Sequence, residues 1–121
     1  VTGIDRLAAA TVTDAATALL AHEPVSAGQL VDGSPATGHL VLDRAEDDAR
    51  TVGIWEMTPG AMRDVEADEV IVVLSGDATV DFESPDLPSI ELGPGSVVRL
   101  EAGMRTVWTV RETLRKVYVA P

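Results

Sequence analysis

From Pro24 onward the chain is cut at short intervals by turn-forming clusters. They are Asp32-Gly33-Ser34-Pro35, Thr58-Pro59-Gly60, Ser75-Gly76-Asp77, Ser84-Pro85-Asp86-Leu87-Pro88, Gly93-Pro94-Gly95, Ala102-Gly103 and Arg111-Glu112-Thr113. Glycine supplies backbone conformations closed to other residues and proline presets φ at about −65°, so such clusters punctuate regular elements. Between them lie short β-like runs at 25–31, 39–42, 51–57, 70–74, 78–82, 89–92, 97–100, 105–110 and 114–119. An acidic turn through Glu46-Asp47-Asp48 is expected after the second run. The residues following Gly60 read as a short arm that leads into the strand at Val70. Many short strands with regular punctuation predict an all-β sandwich or barrel, not alternating βαβ units.

Before Pro24 the period changes. Ile4, Leu7, Ala8, Val12, Ala15, Ala16, Leu19 and Leu20 recur at three and four residues, which predicts an amphipathic helix over 4–21. Thr13 or Asp14 would cap a shorter version of it. The expected organisation is a helical arm over 1–26 and a single β domain over 27–121. The helix lacks the basic polar face of an interfacial helix, so it is expected to pack on the sheet or on a partner chain.

Charge and composition remove several functions. A formal net charge of −11 and a pI near 4.3 oppose binding to nucleic acid or to an anionic membrane surface. The chain has no cysteine, so a disulfide framework, a thiolate metal site and a cysteine nucleophile are all out of reach. Imidazole chemistry is limited to His22 and His39. No apolar run approaches the roughly 20 residues of a membrane span, and no charged-then-apolar leader opens the chain, so a cytoplasmic protein is expected. Absent asparagine and a lone lysine, Lys116, against eight arginines fit a high-GC bacterial source.

Strand parity points to a second subunit. Glu69, Ile71 and Val73 share one face of their strand, and Val70, Val72 and Leu74 share the other. Both faces are apolar. An apolar exterior needs a cover, and one helix is too little, so a homodimer is expected.

The segment Gly53-Ile54-Trp55-Glu56-Met57-Thr58-Pro59-Gly60, the glycine turns, a Val107-Trp108 pair and the closing Arg115-Lys116-Val117-Tyr118 together resemble the cupin family. The closest resemblance is to its cupin-3 subgroup, related to ethanolamine-utilisation and ureidoglycine-processing cupins, across about 27–120. The resemblance implies an RmlC-like jelly-roll barrel. It also implies, in metal-binding members, two histidines, a glutamate and a third histidine facing inward. Anchored on Gly76, Glu69 takes the glutamate position and Arg63 and Val65 the two histidine positions; anchored on Gly95 and Gly103, Thr106 takes the third. The resemblance therefore implies a pocket without the usual metal, and it carries no activity, because one barrel hosts unrelated chemistries.

Several readings of that pocket follow. In the first, Arg63, Glu69, Thr106 and Trp108 point inward, with Trp55, Met57 and Tyr118 as wall. Arg63 would orient a small polar or carboxylate-bearing metabolite, Glu69 would act as base, and Tyr118 or Lys116 would donate a proton. Such a protein would be a metal-independent isomerase, hydrolase or lyase needing no cofactor. In the second, the protein is a non-catalytic small-molecule sensor or an accessory subunit; a blander version has an Arg63–Glu69 ion pair filling the interior with no ligand at all. In the third, Glu66 or Asp68 joins Glu69 around a divalent metal, although both are expected to be solvent-exposed. His39 is expected at the surface or in a dimer contact, and His22 in a structural role.

Overall fold

The computed structural model describes residues 6–44 and 50–121 of the chain. The expected acidic turn at Glu46-Asp47-Asp48 lies outside the described residues, as does Ile4. Among the described residues nine strands form one curled antiparallel sheet. They are β1 (Glu23–Pro24), β2 (Leu30–Asp32), β3 (Ala36–Arg44), β4 (Thr51–Met57), β5 (Gly60–Val65), β6 (Glu69–Ser84), β7 (Ile90–Leu92), β8 (Val97–Leu100) and β9 (Arg105–Ala120).

Two long strands organise the rest. β6 and β9 have 16 residues each and pair from Val70 opposite Val119 to Ser84 opposite Arg105. Their outer neighbours change halfway along. The first half of β9 lies beside β5 and the second beside β4, while β6 takes β8 and then β7. With β3 and β1 added to β4, and β2 to β5, two half-sheets arise that share β6 and β9: β1-β3-β4-β9-β6-β8 and β2-β5-β9-β6-β7. This layout fits the expected all-β jelly roll.

The turns expected at 75–77 and 111–113 are instead bends inside β6 and β9, marked by register shifts between Val73 and Ala78. The two bends lie against each other. Gly76 has a φ of 106°, and a Cβ there would run into the backbone of Thr113 and Leu114. Only glycine permits that approach. The short arm expected after Gly60 is also corrected, because Gly60 to Val65 pair with β9 as a full strand. Pairing to β9 overrides a weak local preference.

The interior is packed by Met57, Met62, Ile71, Val73, Ala78, Val80, Leu92, Leu100, Trp108, Val110 and Leu114. On the opposite face, β3, β4, β9, β6 and β8 place Leu40, Ile54, Val117, Val72 and Val97 in one cross-strand row. Leu40, Val70, Val72 and Val97 on that face are exposed.

The predicted N-terminal helix is absent among the described residues. Asp14 opens a single turn, its carboxylate accepting from Ala16 N–H and its carbonyl from Thr17 and Ala18 N–H. The turn does not propagate. A helix would need the carbonyls of Ala15 and Ala18 for the amides four residues on, and both carbonyls accept from the Arg115 guanidinium instead, at 3.0 and 2.7 Å. Val12 and Leu19 are each 95% exposed, so the apolar period does not translate into packing. The segment crosses β3 at Gly38, where a Cβ would meet Ala21 and Leu20.

Candidate functional site

The register of β5 against β9 decides what faces the interior. Met62 pairs with Trp108 and Asp64 with Thr106, and directly paired residues share a sheet face. Trp108 and Thr106 are buried, so Met62 and Asp64 point inward with them. Arg63 pairs with Val107 and points outward, 55% exposed, where it meets Glu83 at 3.3 Å. The expectation that Arg63 faces the pocket is thus corrected, and with it the expected Arg63–Glu69 ion pair. The count back from Gly76 crosses the loop Glu66-Ala67-Asp68, and a one-residue slip there inverts every side chain on β5.

Inward residues at this end of the barrel surround a cavity of about 270 Å³ lined by His39, Trp55, Asp64, Val65, Glu66, Ala67, Glu69, Trp108, Lys116 and Tyr118. Lys116, on β9, lies at its floor and is only 5% exposed. Its Nζ donates to Glu69 Oε1 at 3.2 Å and lies 4.7 Å from the ring centroids of both Trp55 and Trp108. The two indoles are 5.6 Å apart and tilted at 58°, so they grip the ammonium from two sides by cation–π attraction.

Glu66 was expected in solvent but is 6% exposed. Its Oε2 accepts from the Thr106 hydroxyl at 2.6 Å and from Trp108 Nε1 at 2.9 Å. Thr106 is therefore inward as expected, but it anchors Glu66 and does not line the cavity. Met57 is likewise core beneath the site, not pocket wall. Asp68 stays exposed and caps the Ala102 amide.

Asp64 is the functional candidate that sequence reasoning passed over. Burial pushes its carboxyl up to about 6, and the neighbouring Glu66 charge adds to the shift; the Val65 amide and the Lys116 ammonium oppose it. The available signal was the pairing partner: Asp64 lies opposite Thr106 on β9, whose hydroxyl is buried. Burial also raises the Tyr118 phenol above its ordinary value, with Arg44 lowering it and Glu69 adding to the rise, so the phenol stays protonated. Its ring lies across Gly53, the opposite residue on β4, where any Cβ would collide with it. His39 is exposed on the rim.

Residues 44–118, more than half of the chain, match the family described as the EutQ-like cupin domain. The chain belongs to this cupin family. No curated protein matches it. Among solved structures, a protein of unknown function from Pseudomonas syringae pv. tomato superposes with a TM-score of 0.71 at 21% identity, over 85% of this chain and 44% of that one. The EutQ protein of Clostridium difficile gives 0.59 at 18% identity, over 70% and 61%. A putative ethanolamine utilization protein Q from Salmonella typhimurium gives 0.61 at 19% identity, over 86% and 96%. The chain spans less than two thirds of the first two relatives, and at these identities the likeness establishes the cupin fold alone.

Cupins can bind metals, but the donors at this end of the barrel are committed elsewhere. Met62 is a core side chain, the Thr106 hydroxyl is committed to Glu66, and Glu69 is bonded to the Lys116 ammonium. Among the described residues no three His, Asp or Glu side chains converge as a metal-binding group. The residues do not fit a transition metal, which wants imidazole and carboxylate donors aimed at one point. No helix of the described residues is long and apolar enough to cross a membrane.

Proposed function

We propose that the cavity binds a small polar molecule and transfers a proton on it with side chains alone. The observation that carries this reading is the convergence of Asp64, Glu69, Lys116 and Tyr118 on one cavity walled by two indoles. A carboxyl that titrates near neutrality can both take and return a proton, which makes Asp64 a better base than Glu69. Glu69 is bound to Lys116 and fixes where the ammonium points. Lys116 would stabilise developing negative charge, and Tyr118, kept protonated, would supply the return proton. Isomerisation and elimination fit this set. With Arg63 outside, the earlier support for a carboxylate-bearing ligand is lost.

The test combines a melting-temperature screen of small polar metabolites with solvent-deuterium incorporation into each compound that stabilises the protein. Incorporation that Asp64→Asn abolishes supports catalysis. Stabilisation without incorporation supports the second reading, a non-catalytic sensor or accessory cupin, which draws on the Lys116 ammonium already being satisfied by Glu69 and both indoles. If no compound raises the melting temperature, both readings fall.

We also propose a homodimer through the outer face of β3, β4, β9, β6 and β8. Exposed Leu40, Val70, Val72 and Val97 support it, because a contiguous apolar patch on a sheet face is costly to leave in water. Val72→Glu should then convert a dimer to a monomer in analytical ultracentrifugation. A wild-type monomer sinks the idea.

A further inference from the structure

The charges that line the cavity do not balance. Asp64, Glu66 and Glu69 face it against one ammonium, that of Lys116, and Lys116 is already engaged by Glu69 and by the faces of Trp55 and Trp108. Arg63 on β5 supplies no further cation, because it is turned to the other side of the sheet and paired with Glu83.

Glu66 sharpens the imbalance. It is more than nine-tenths buried, yet its donors are a hydroxyl and an indole N–H, both on Oε2, with no basic side chain bonded to it. Its Oε1 accepts no hydrogen bond from the described residues. Every side-chain polar atom without accessible surface has a partner, so this unpartnered oxygen is one that the cavity reaches. Buried carboxylates are seldom left without a cation. The same deficit shows at Asp64, whose carboxyl is pushed up by burial and by the Glu66 charge beside it, with Glu69 adding to the rise.

We infer that the cavity's ligand is a small cation, an alkylammonium or quaternary ammonium compound, whose charged head sits against Asp64 and Glu66 and whose apolar body sits against Trp55 and Tyr118. The walls suit such a ligand independently of the carboxylates. Indole and phenol faces attract cations, and in this cavity two indole faces already hold one at 4.7 Å. A net charge of −11 steers cations toward the protein and anions away from it. At about 270 Å³ the cavity suits a metabolite-sized cation, not a peptide.

This inference rests on the proposed ligand cavity, and the experiment separates the two. The chain's two tryptophans, Trp55 and Trp108, both line the cavity, so intrinsic fluorescence reports its occupancy directly. Titrations at constant ionic strength would use tetramethylammonium chloride, ethylammonium chloride, sodium acetate and N-methylurea as probes. The ammonium probes should saturate the fluorescence change and sodium acetate should not. Glu66→Gln keeps an acceptor for Thr106 and Trp108 and should weaken tetramethylammonium binding about tenfold, the equivalent of roughly 1.4 kcal/mol; Asp64→Asn serves the same purpose if the first variant does not fold. Lys116→Met removes a competing cation and should tighten the same binding several-fold, a sign that general loss of structure would not produce. Saturable binding of acetate or N-methylurea without the ammonium probes would overturn the inference while leaving the cavity reading intact. Silence from all four probes would overturn the inference together with that reading.

Discussion

Arg115 and Lys116 are neighbours on β9, yet strand alternation sends them to opposite sides of the sheet and into different kinds of work. Arg115 points outward beneath the N-terminal segment, where Nε donates to Glu56 Oε1 at 2.9 Å and Nη1 to the carbonyls of Ala15 and Ala18. Burial alone would push the Glu56 carboxyl up, but hydrogen bonds from Arg115 and His22 outweigh it and hold that carboxyl below its ordinary value. Every charge in the outer cluster has a partner within the chain. The inner cluster differs, because Lys116 meets one carboxylate and two ring faces while Asp64 and Glu66 remain without a cation. A saturated cluster holds a fold together; an unsaturated one facing a cavity is arranged for something that arrives.

Breaking the outer cluster should cost most. Arg115→Ala leaves Glu56 half-partnered under cover and frees two carbonyls, so a loss of about 3–5 kcal/mol is expected in denaturant unfolding. Amide exchange over 15–22 should accelerate in the same variant, because that segment loses its anchor. If stability falls by less than about 1 kcal/mol, a range ordinary for exposed pairs, the outer cluster is not structural and the comparison fails. The inner pair should cost less. Lys116→Met strands Glu69 beside two indoles at about 2 kcal/mol, within the range for an unsatisfied buried polar group. Adding Glu69→Gln should return stability to within about 1 kcal/mol of wild type, since apolar and neutral replacements of a buried pair are often tolerated.

The fold was legible because its signals are local. Glycine and proline clusters mark where strands stop, and valine-rich runs mark where they run, whatever packs beside them. The N-terminal helix misled because its apolar period is genuine while the fate of its carbonyls depends on Arg115, about a hundred residues away. The site was half legible. Trp55, Glu69, Trp108, Lys116 and Tyr118 line the cavity as parity predicts. Arg63 was misplaced because register across the loop at 66–68 is set by hydrogen bonds such as Glu66 N–H to the Met104 carbonyl, which no residue count reveals. Asp64 was passed over, and Glu66 was expected in solvent, for the same reason. An isolated acid next to a turn looks solvated until the donors of Thr106 and Trp108 are known to face it.

Within the inner cluster, Asp64 offers a milder perturbation. Its carboxyl titrates near 6 in the fold against an ordinary value of 3.8, so the folded state holds a proton that the unfolded chain releases between those values. Stability is therefore highest where Asp64 is protonated, and it falls as pH rises from about 4 through about 6. Asp64→Asn should stabilise the protein at pH 8 by about 1 kcal/mol, a figure reduced from the face value of the shift because Asp64 is partly exposed and screened. The gain should vanish below about pH 4. A gain that persists at low pH would mean that the carboxylate's charge is not the source of the strain.

The smallest effect is expected at Arg111, on the same strand, and it tests whether burial or bond number sets the difference between clusters. Arg111 makes four hydrogen bonds, two to Asp77 and one each to Thr79 and Glu91, against three for Arg115. Its side chain is 44% exposed where that of Arg115 is 10%. The bonds hold the Asp77 carboxyl below its ordinary value, and the Arg111 guanidinium above its own. Water and salt replace such bonds at little cost once one partner is removed, whereas they cannot reach beneath the N-terminal segment. Arg111→Ala should shift the melting temperature barely at all, and the residual shift should disappear at high salt. A loss comparable to that of Arg115→Ala would show that the number of bonds decides, and burial would no longer separate the two faces of β9.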